Sequence, residues 1–136
     1  MSHDETFRLF TSGRRFLEEG HPGQAALFLE RAAALTPDKM SIREALGRAY
    51  YALGRYRDAA AAFSEVVRRR PADDYAQFGL ARSLLAAGDA RAALVAAKLA
   101  LAMAPGNDDY RRAVDDCRLT LQDGASSRAG EGPVSW

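Results

Sequence analysis

The chain has 136 residues, 48% of them hydrophobic and 27% charged, and a net charge of +1. That length suits one domain, and the balance is that of an ordinary water-soluble globular fold. The near-neutral charge argues against nucleic acid held by a basic stripe and against a polybasic membrane surface, and the single cysteine, Cys117, excludes an internal disulfide.

The chain is punctuated every 34 residues: Gly20, Gly54 and Gly88 form one ladder, Pro37, Pro71 and Pro105 a second, and Ala25, Ala59 and Ala93 a third. Self-similarity at this period marks a stacked array of small units. Abundant alanine and few β-branched residues make the segments between the marks helical. In chain order the predicted helices are Asp4–Glu19, Pro22–Leu35, Lys39–Leu53, Tyr56–Arg69, Asp74–Ala87, Ala90–Ala104 and Asp108–Leu121. Pro22 falls in a first turn, where proline is tolerated. The glycines can adopt φ > 0 and close the first helix of each unit. The prolines lack an N–H and stop the second. Asp38, Asp73 and Asn107 follow as N-cap candidates for the next helix.

The residues inside the units resemble the tetratricopeptide repeat (TPR) pattern of Leu-Gly-x-x-Tyr, Ala-x-x-x-Phe and Pro. The middle unit carries Leu46, Gly47, Tyr50, Ala59, Phe63 and Pro71. The first has Gly13, Phe16, Ala25, Leu29 and Pro37, with Ser12 in the leucine slot. The third has Leu80, Ala81, Leu84, Ala93, Ala97 and Pro105. Leu9, Arg43 and Gln77 stand where the pattern begins with tryptophan. The resemblance implies an all-α fold, a right-handed α-solenoid of three repeats at about 6–39, 40–73 and 74–107, closed by a capping helix at 108–121. Residues 1–122 form one domain on this reading, and 123–136 a disordered tail of low apolar content. Small residues at Gly13, Gly47 and Ala81 let paired helices approach, and stacking supplies the core that no single pair can bury. The third unit, with Leu84 and Ala97 in aromatic slots, is expected to be the most loosely filled. The cap supplies a polar end through Asp109, Arg111, Arg112, Asp115, Asp116 and Arg118.

The resemblance further implies a concave groove lined by the first helix of each repeat. Carried over slot by slot, the lining is Phe7, Phe10, Arg14 and Leu17, then Ser41, Glu44, Arg48 and Tyr51, then Tyr75, Phe78, Arg82 and Leu85. These positions follow i, i+3, i+7, i+10, one face of a helix. Arg14, Arg48 and Arg82 share one slot and form a row. Arginine and aromatic residues are the types enriched at binding hot spots. The row is either a ligand contact or a solvated stripe neutralised by Glu44 and Asp116. Family members that read chaperone C-termini use a clamp of lysine and asparagine; Phe10, Arg14, Ala45, Tyr75 and Gly79 occupy the corresponding slots here, so that ligand is not expected. A second apolar stripe, Val95, Leu99 and Ala102, lies outside the core stripe of the sixth helix, with Arg31 and Glu65 in the slots equivalent to Leu99. A docked tail, a partner or a second copy would cover it.

His3 and His21 have no metal-ligand spacing, Cys117 reads as a packed thiol, and no phosphate-loop, dinucleotide or nucleophile-elbow motif occurs. No catalytic residue, metal or cofactor is expected. The opening Met1-Ser2-His3-Asp4-Glu5 is not a signal peptide, and the stretch from Ala92 to Ala104 is too short to span a bilayer, so the cytoplasm is expected. The sequence therefore reads as a non-enzymatic adaptor that binds an acidic and apolar protein segment in its groove. The alternative is a homodimer formed through the stripe of the third repeat.

Overall fold

Seven α-helices follow one another, and among the described residues there is no strand. The computed structural model describes the backbone of residues 2–130 and the side chains of residues 3–124. The helices are α1 Ser2–Glu18, α2 Pro22–Leu35, α3 Met40–Ala52, α4 Tyr56–Arg69, α5 Asp74–Ala86, α6 Ala90–Met103 and α7 Asp108–Gly130. The first six agree with the predicted ones to within two residues. The seventh does not stop at Leu121 but continues across residues 123–130, where a tail without regular structure was expected. No proline lies between Pro105 and Pro133, and extending a helix costs far less than nucleating one. Residues 131–136, with Val134 and Trp136, lie outside the described residues.

The punctuation works by repeated hydrogen bonds. Gly20, Gly54 and Gly88 have φ of 80°, 75° and 96°. The N–H groups of His21, Arg55 and Asp89 then donate to the carbonyls of Phe16, Tyr50 and Leu84 at 2.8–2.9 Å. This six-to-one bond satisfies a carbonyl that the helix end leaves free. Because the left-handed conformation costs a residue with a Cβ about 1–2 kcal/mol, Gly54→Ala is expected to lower unfolding stability by that amount. Urea denaturation measures it, and an unchanged midpoint would show that the turn relaxes at no cost. The proline turns repeat as well: the N–H groups of Lys39, Asp73 and Asn107 donate to the carbonyls of Thr36, Arg70 and Ala104 at 3.0–3.3 Å.

Two of the three expected caps form. Asp73 accepts from the Ala76 N–H at 3.0 Å and Asn107 from the Tyr110 N–H at 3.1 Å. Asp38 does not cap α3; Lys39 holds that position without a side-chain bond, and Asp38 reaches Arg69 at 3.3 Å. Asp89 caps α6 through the Ala92 N–H instead, a role the pattern did not suggest. The slots that lack tryptophan are used too. Arg43, Gln77 and Arg111, 34 residues apart, donate to the carbonyls of Pro37, Pro71 and Pro105 at 3.2, 3.5 and 3.3 Å. Leu9, in the same slot of the first repeat, is buried in the core.

Packing explains the curvature. Helices α1, α3, α5 and α7 touch one another in succession, whereas α2, α4 and α6 make no contact among themselves. The first helices therefore form the shorter, inner arc and the second helices the outer one. The core runs the length of the array. Leu9, Leu29, Ile42 and Leu46 fill the first interval, Met40, Phe63 and Val66 the middle, and Ala93, Ala97, Val114 and Cys117 the end. Alanine and glycine keep the close approaches small, so larger side chains pack directly onto neighbouring helices. A Cβ on Gly13 would meet the Leu29 side chain at 2.6 Å. The Phe63 ring is held between two glycines: a Cβ on Gly47 would lie 2.6 Å from it and one on Gly79 2.5 Å. The fold is an α-solenoid of three helix–turn–helix repeats followed by α7.

Candidate functional site

The inner arc presents a groove of three joined cavities. The first, about 520 Å³, is lined by Phe10, Arg14, Ser41, Glu44, Arg48 and the pair Arg70 and Asp73. The second, about 200 Å³, lies between Arg48, Tyr51, Tyr75, Phe78 and Arg82, with the edge of Phe63 beneath. The third, about 510 Å³, is shared by α5 and α7 and lined by Tyr51, Phe78, Arg82, Leu85, Asp109 and Asp116, among others. Arg48 belongs to the first two, and Tyr51, Phe78 and Arg82 to the last two, so the cavities are continuous. Ten of the twelve lining residues expected from the repeat slots meet here. Phe7 lines none of the three cavities and is 64% exposed. Leu17 packs against the first core interval instead, because α2 covers that end of α1.

Each arginine of the row is exposed, and among the described residues none of the three is in an ion pair. Two are positioned by aromatic rings. The Arg14 guanidinium carbon lies 5.5 Å from the centre of the Phe10 ring. That of Arg82 lies 4.6 Å from the centre of Tyr51 and 5.5 Å from that of Phe78, and its Nη2 donates to the Tyr51 hydroxyl at 3.3 Å. Phe10 and Phe78 each stand four residues before their arginine, one helical turn, which is why ring and cation meet. The middle repeat has Glu44 in that place. The electron-rich ring face holds the guanidinium without neutralising it, so the charge stays available to a carboxylate.

Glu44 is the unusual group of the first cavity. Partial burial, a hydrogen bond to Asp73 and the negative charge of Asp73 push its carboxyl up to about 7, against the opposing pull of Arg70 and Arg48. A carboxyl raised above its unfolded value of 4.5 stabilises the fold fully below that value. The contribution is lost as pH rises through about 7. Glu44→Gln keeps a donor for Asp73 and cannot ionise. It is expected to raise stability at about pH 8 by roughly 1 kcal/mol, after a discount for solvent screening, and to flatten the stability profile between about pH 5 and pH 8. Urea titrations at the two pH values test this; identical profiles for wild type and variant would rule out a protonated Glu44.

The sequence slots did not indicate Arg70 and Asp73, because both lie in the turn between α4 and α5, outside the first-helix face. Nor did they indicate that Asp109 and Arg112 of α7 face the third cavity, beside Asp116, which the sequence had set against the arginine row; the 34-residue spacing carried one step further predicts all three. The α7 helix is tied to α5 by Tyr110, whose hydroxyl donates to Asp74 at 2.8 Å and whose ring packs 5.0 Å from that of Phe78. Burial and the Asp74 charge raise the phenol above its usual value. Cys117 is fully buried in the floor beside Ala113, and burial pushes its thiol up. On the outer arc, Val95 and Leu99 are exposed, as is Ala102, and Met103 extends the row. No helix of the described residues is long and apolar enough to cross a membrane.

Comparison with known proteins gives the same architecture. The chain superposes on the first TPR domain of human RPAP3 with a TM-score of 0.84 at 15% identity, covering 93% of this chain and 99% of that one. It superposes on the second TPR domain of human RPAP3, solved with the HSP70 peptide SGPTIEEVD, at 0.81 and 16%, covering 87% and 98%. The TPR domain of Sgt2 from Aspergillus fumigatus matches at 0.81 and 17%, covering 97% and 87%. No curated protein matches the chain at the level of sequence. The profile described as tetratricopeptide repeat matches residues 10–56 and again residues 44–108, well over half of the chain. With the period, the inner arc of first helices and these matches together, the chain belongs to the tetratricopeptide repeat family.

Proposed function

We propose that the protein is a non-enzymatic adaptor whose inner groove binds an acidic and apolar segment of a partner protein, in a cytoplasmic setting. Its interaction unit is residues 1–122. The observation that carries this reading is the row of Arg14, Arg48 and Arg82: exposed, without carboxylate partners among the described residues, two of them laid on aromatic rings, and all lining one continuous groove. A solvated stripe would more ordinarily be neutralised by its own neighbours. Peptide capture by the human RPAP3 domain of the same fold supports the general mode. A chaperone tail is not proposed, since Phe10, Ala45, Tyr75 and Gly79 leave no lysine or asparagine in those slots. The test is affinity capture from the host with wild type and with an Arg14/Arg48/Arg82 charge-reversal variant. Proteins retained by the first and lost by the second are groove partners; identical captures would reject the reading.

A second reading rests on α6, where Val95, Leu99 and Met103 are exposed at 60%, 47% and 38% in a row four residues apart. Such a row suits self-association of two copies. Light scattering decides: a dimer that Leu99→Arg converts to monomer supports it, and a wild-type monomer removes it.

A further inference from the structure

The groove does not end at the third repeat. Helix α7 touches α5 as α5 touches α3, so α7 is a fourth member of the inner arc. The repeat spacing carries the groove slots onto it: Asp109 follows Tyr75, Arg112 follows Phe78, and Asp116 follows Arg82. The row of Arg14, Arg48 and Arg82 therefore closes on a carboxylate. Asp116 is exposed and lines the third cavity, and its side chain makes no ion pair or hydrogen bond among the described residues. Of the other charges of that cavity, Arg112 lies 4.0 Å from Asp109, and Arg82 is stacked on Tyr51 and Phe78, on the side of the cavity that opens toward Arg48. The cavity that Asp116 lines also has an apolar lining, from Phe78, Leu85 and Ala113 among others.

Resting on the groove reading above, we infer that the α7 end of the groove takes a basic side chain, lysine or arginine, of the partner segment. The segment's carboxylates face Arg14 and Arg48. A lysine or arginine lays its aliphatic stem along apolar surface and keeps its charge at the tip, which fits a cup with Phe78 and Leu85 as walls and Asp116 at the rim. A wholly acidic segment would bring a carboxylate against Asp116, and like-charge contacts select against such partners. The sign change thus fixes which end of the segment lies where. Three steps of about 10 Å separate α1 from α7, and an extended segment of about nine residues spans them.

The probe is a display library of random peptides about 12 residues long, panned on the full chain, with the enriched peptides then titrated against Asp116→Lys and Arg48→Glu. Both positions are exposed, and equal thermal unfolding confirms that the variants are folded. Wild type is expected to enrich peptides with acidic residues toward one end and a basic residue at the other. Asp116→Lys is expected to lose at least tenfold in affinity for them and to regain it when the peptide's basic residue is exchanged for glutamate. Peptides that bind wild type and Asp116→Lys equally but are lost with Arg48→Glu overturn this inference and leave the groove reading standing. Peptides indifferent to Arg48→Glu, or no enrichment at all, overturn both.

Discussion

Phe63→Ala is expected to destabilise the protein by about 3–5 kcal/mol, the range for removing a buried phenylalanine. The ring is 2% exposed and touches Gly47 of its own repeat and Gly79 of the next. The two glycines that flank the ring have no side chain to move inward, so part of the cavity stays open, and how far Met40 and Leu80 of the same cluster collapse sets where in the range the cost falls. Against a total stability of about 5–15 kcal/mol for a domain this is a large fraction. The coupling is testable in the same background. Gly79→Ala alone gains helix propensity but drives a Cβ to 2.5 Å from the ring, so overpacking of about 1–3 kcal/mol is expected. In Phe63→Ala the clash disappears, and the second substitution is expected to become neutral or stabilising. Urea denaturation of the four proteins closes the cycle; additive effects would mean that the ring and the glycine do not meet.

Arg48→Glu is expected to lower affinity for a groove peptide by about 100-fold, close to 2.7 kcal/mol. Arg48 lines both the first and the second cavity, and reversal replaces a charge-assisted contact of about 1.5–3 kcal/mol by repulsion. Being exposed, it is expected to leave thermal unfolding unchanged. Arg31→Glu, exposed on the outer arc, serves as the control with no effect on binding. Affinity is also expected to weaken with added salt, as contacts between exposed charges do. It should rise as pH falls through about 7, because protonation of Glu44 removes a negative charge beside Arg48. Glu44→Gln should abolish that pH dependence. Fluorescence polarisation with an enriched peptide measures all of these. A Kd unmoved by Arg48→Glu would place the peptide elsewhere.

Most of the candidate groove was legible before any coordinates, because a 34-residue period repeats each slot on the same face of successive first helices. Which slot faces the groove came from the resemblance to the tetratricopeptide repeat, and ten of the twelve residues so carried over line the three cavities. Phe7 and Leu17 were expected in the lining but lie outside the three cavities, Phe7 exposed on the terminal helix and Leu17 packed against the first core interval. The pairing of Glu44 with Asp73 was not legible, since it joins a helix face of one repeat to the turn that opens the next. The same holds for Arg69 reaching Asp38 and for the thread of Arg43, Gln77 and Arg111 onto the proline carbonyls.

The local chemistry of the chain determines its period, its helices and their stops. Glycine at φ > 0, proline without an N–H and alanine at the close approaches each act within a few residues, so their consequences can be read in order along the chain. Which side is concave, what lies against Phe63 and where the groove ends depend on the offset between one repeat and the next. That offset comes from packing between residues some 30 positions apart, and it makes α7 a wall of the groove where the sequence indicated a polar cap with Asp116 beside the arginine row.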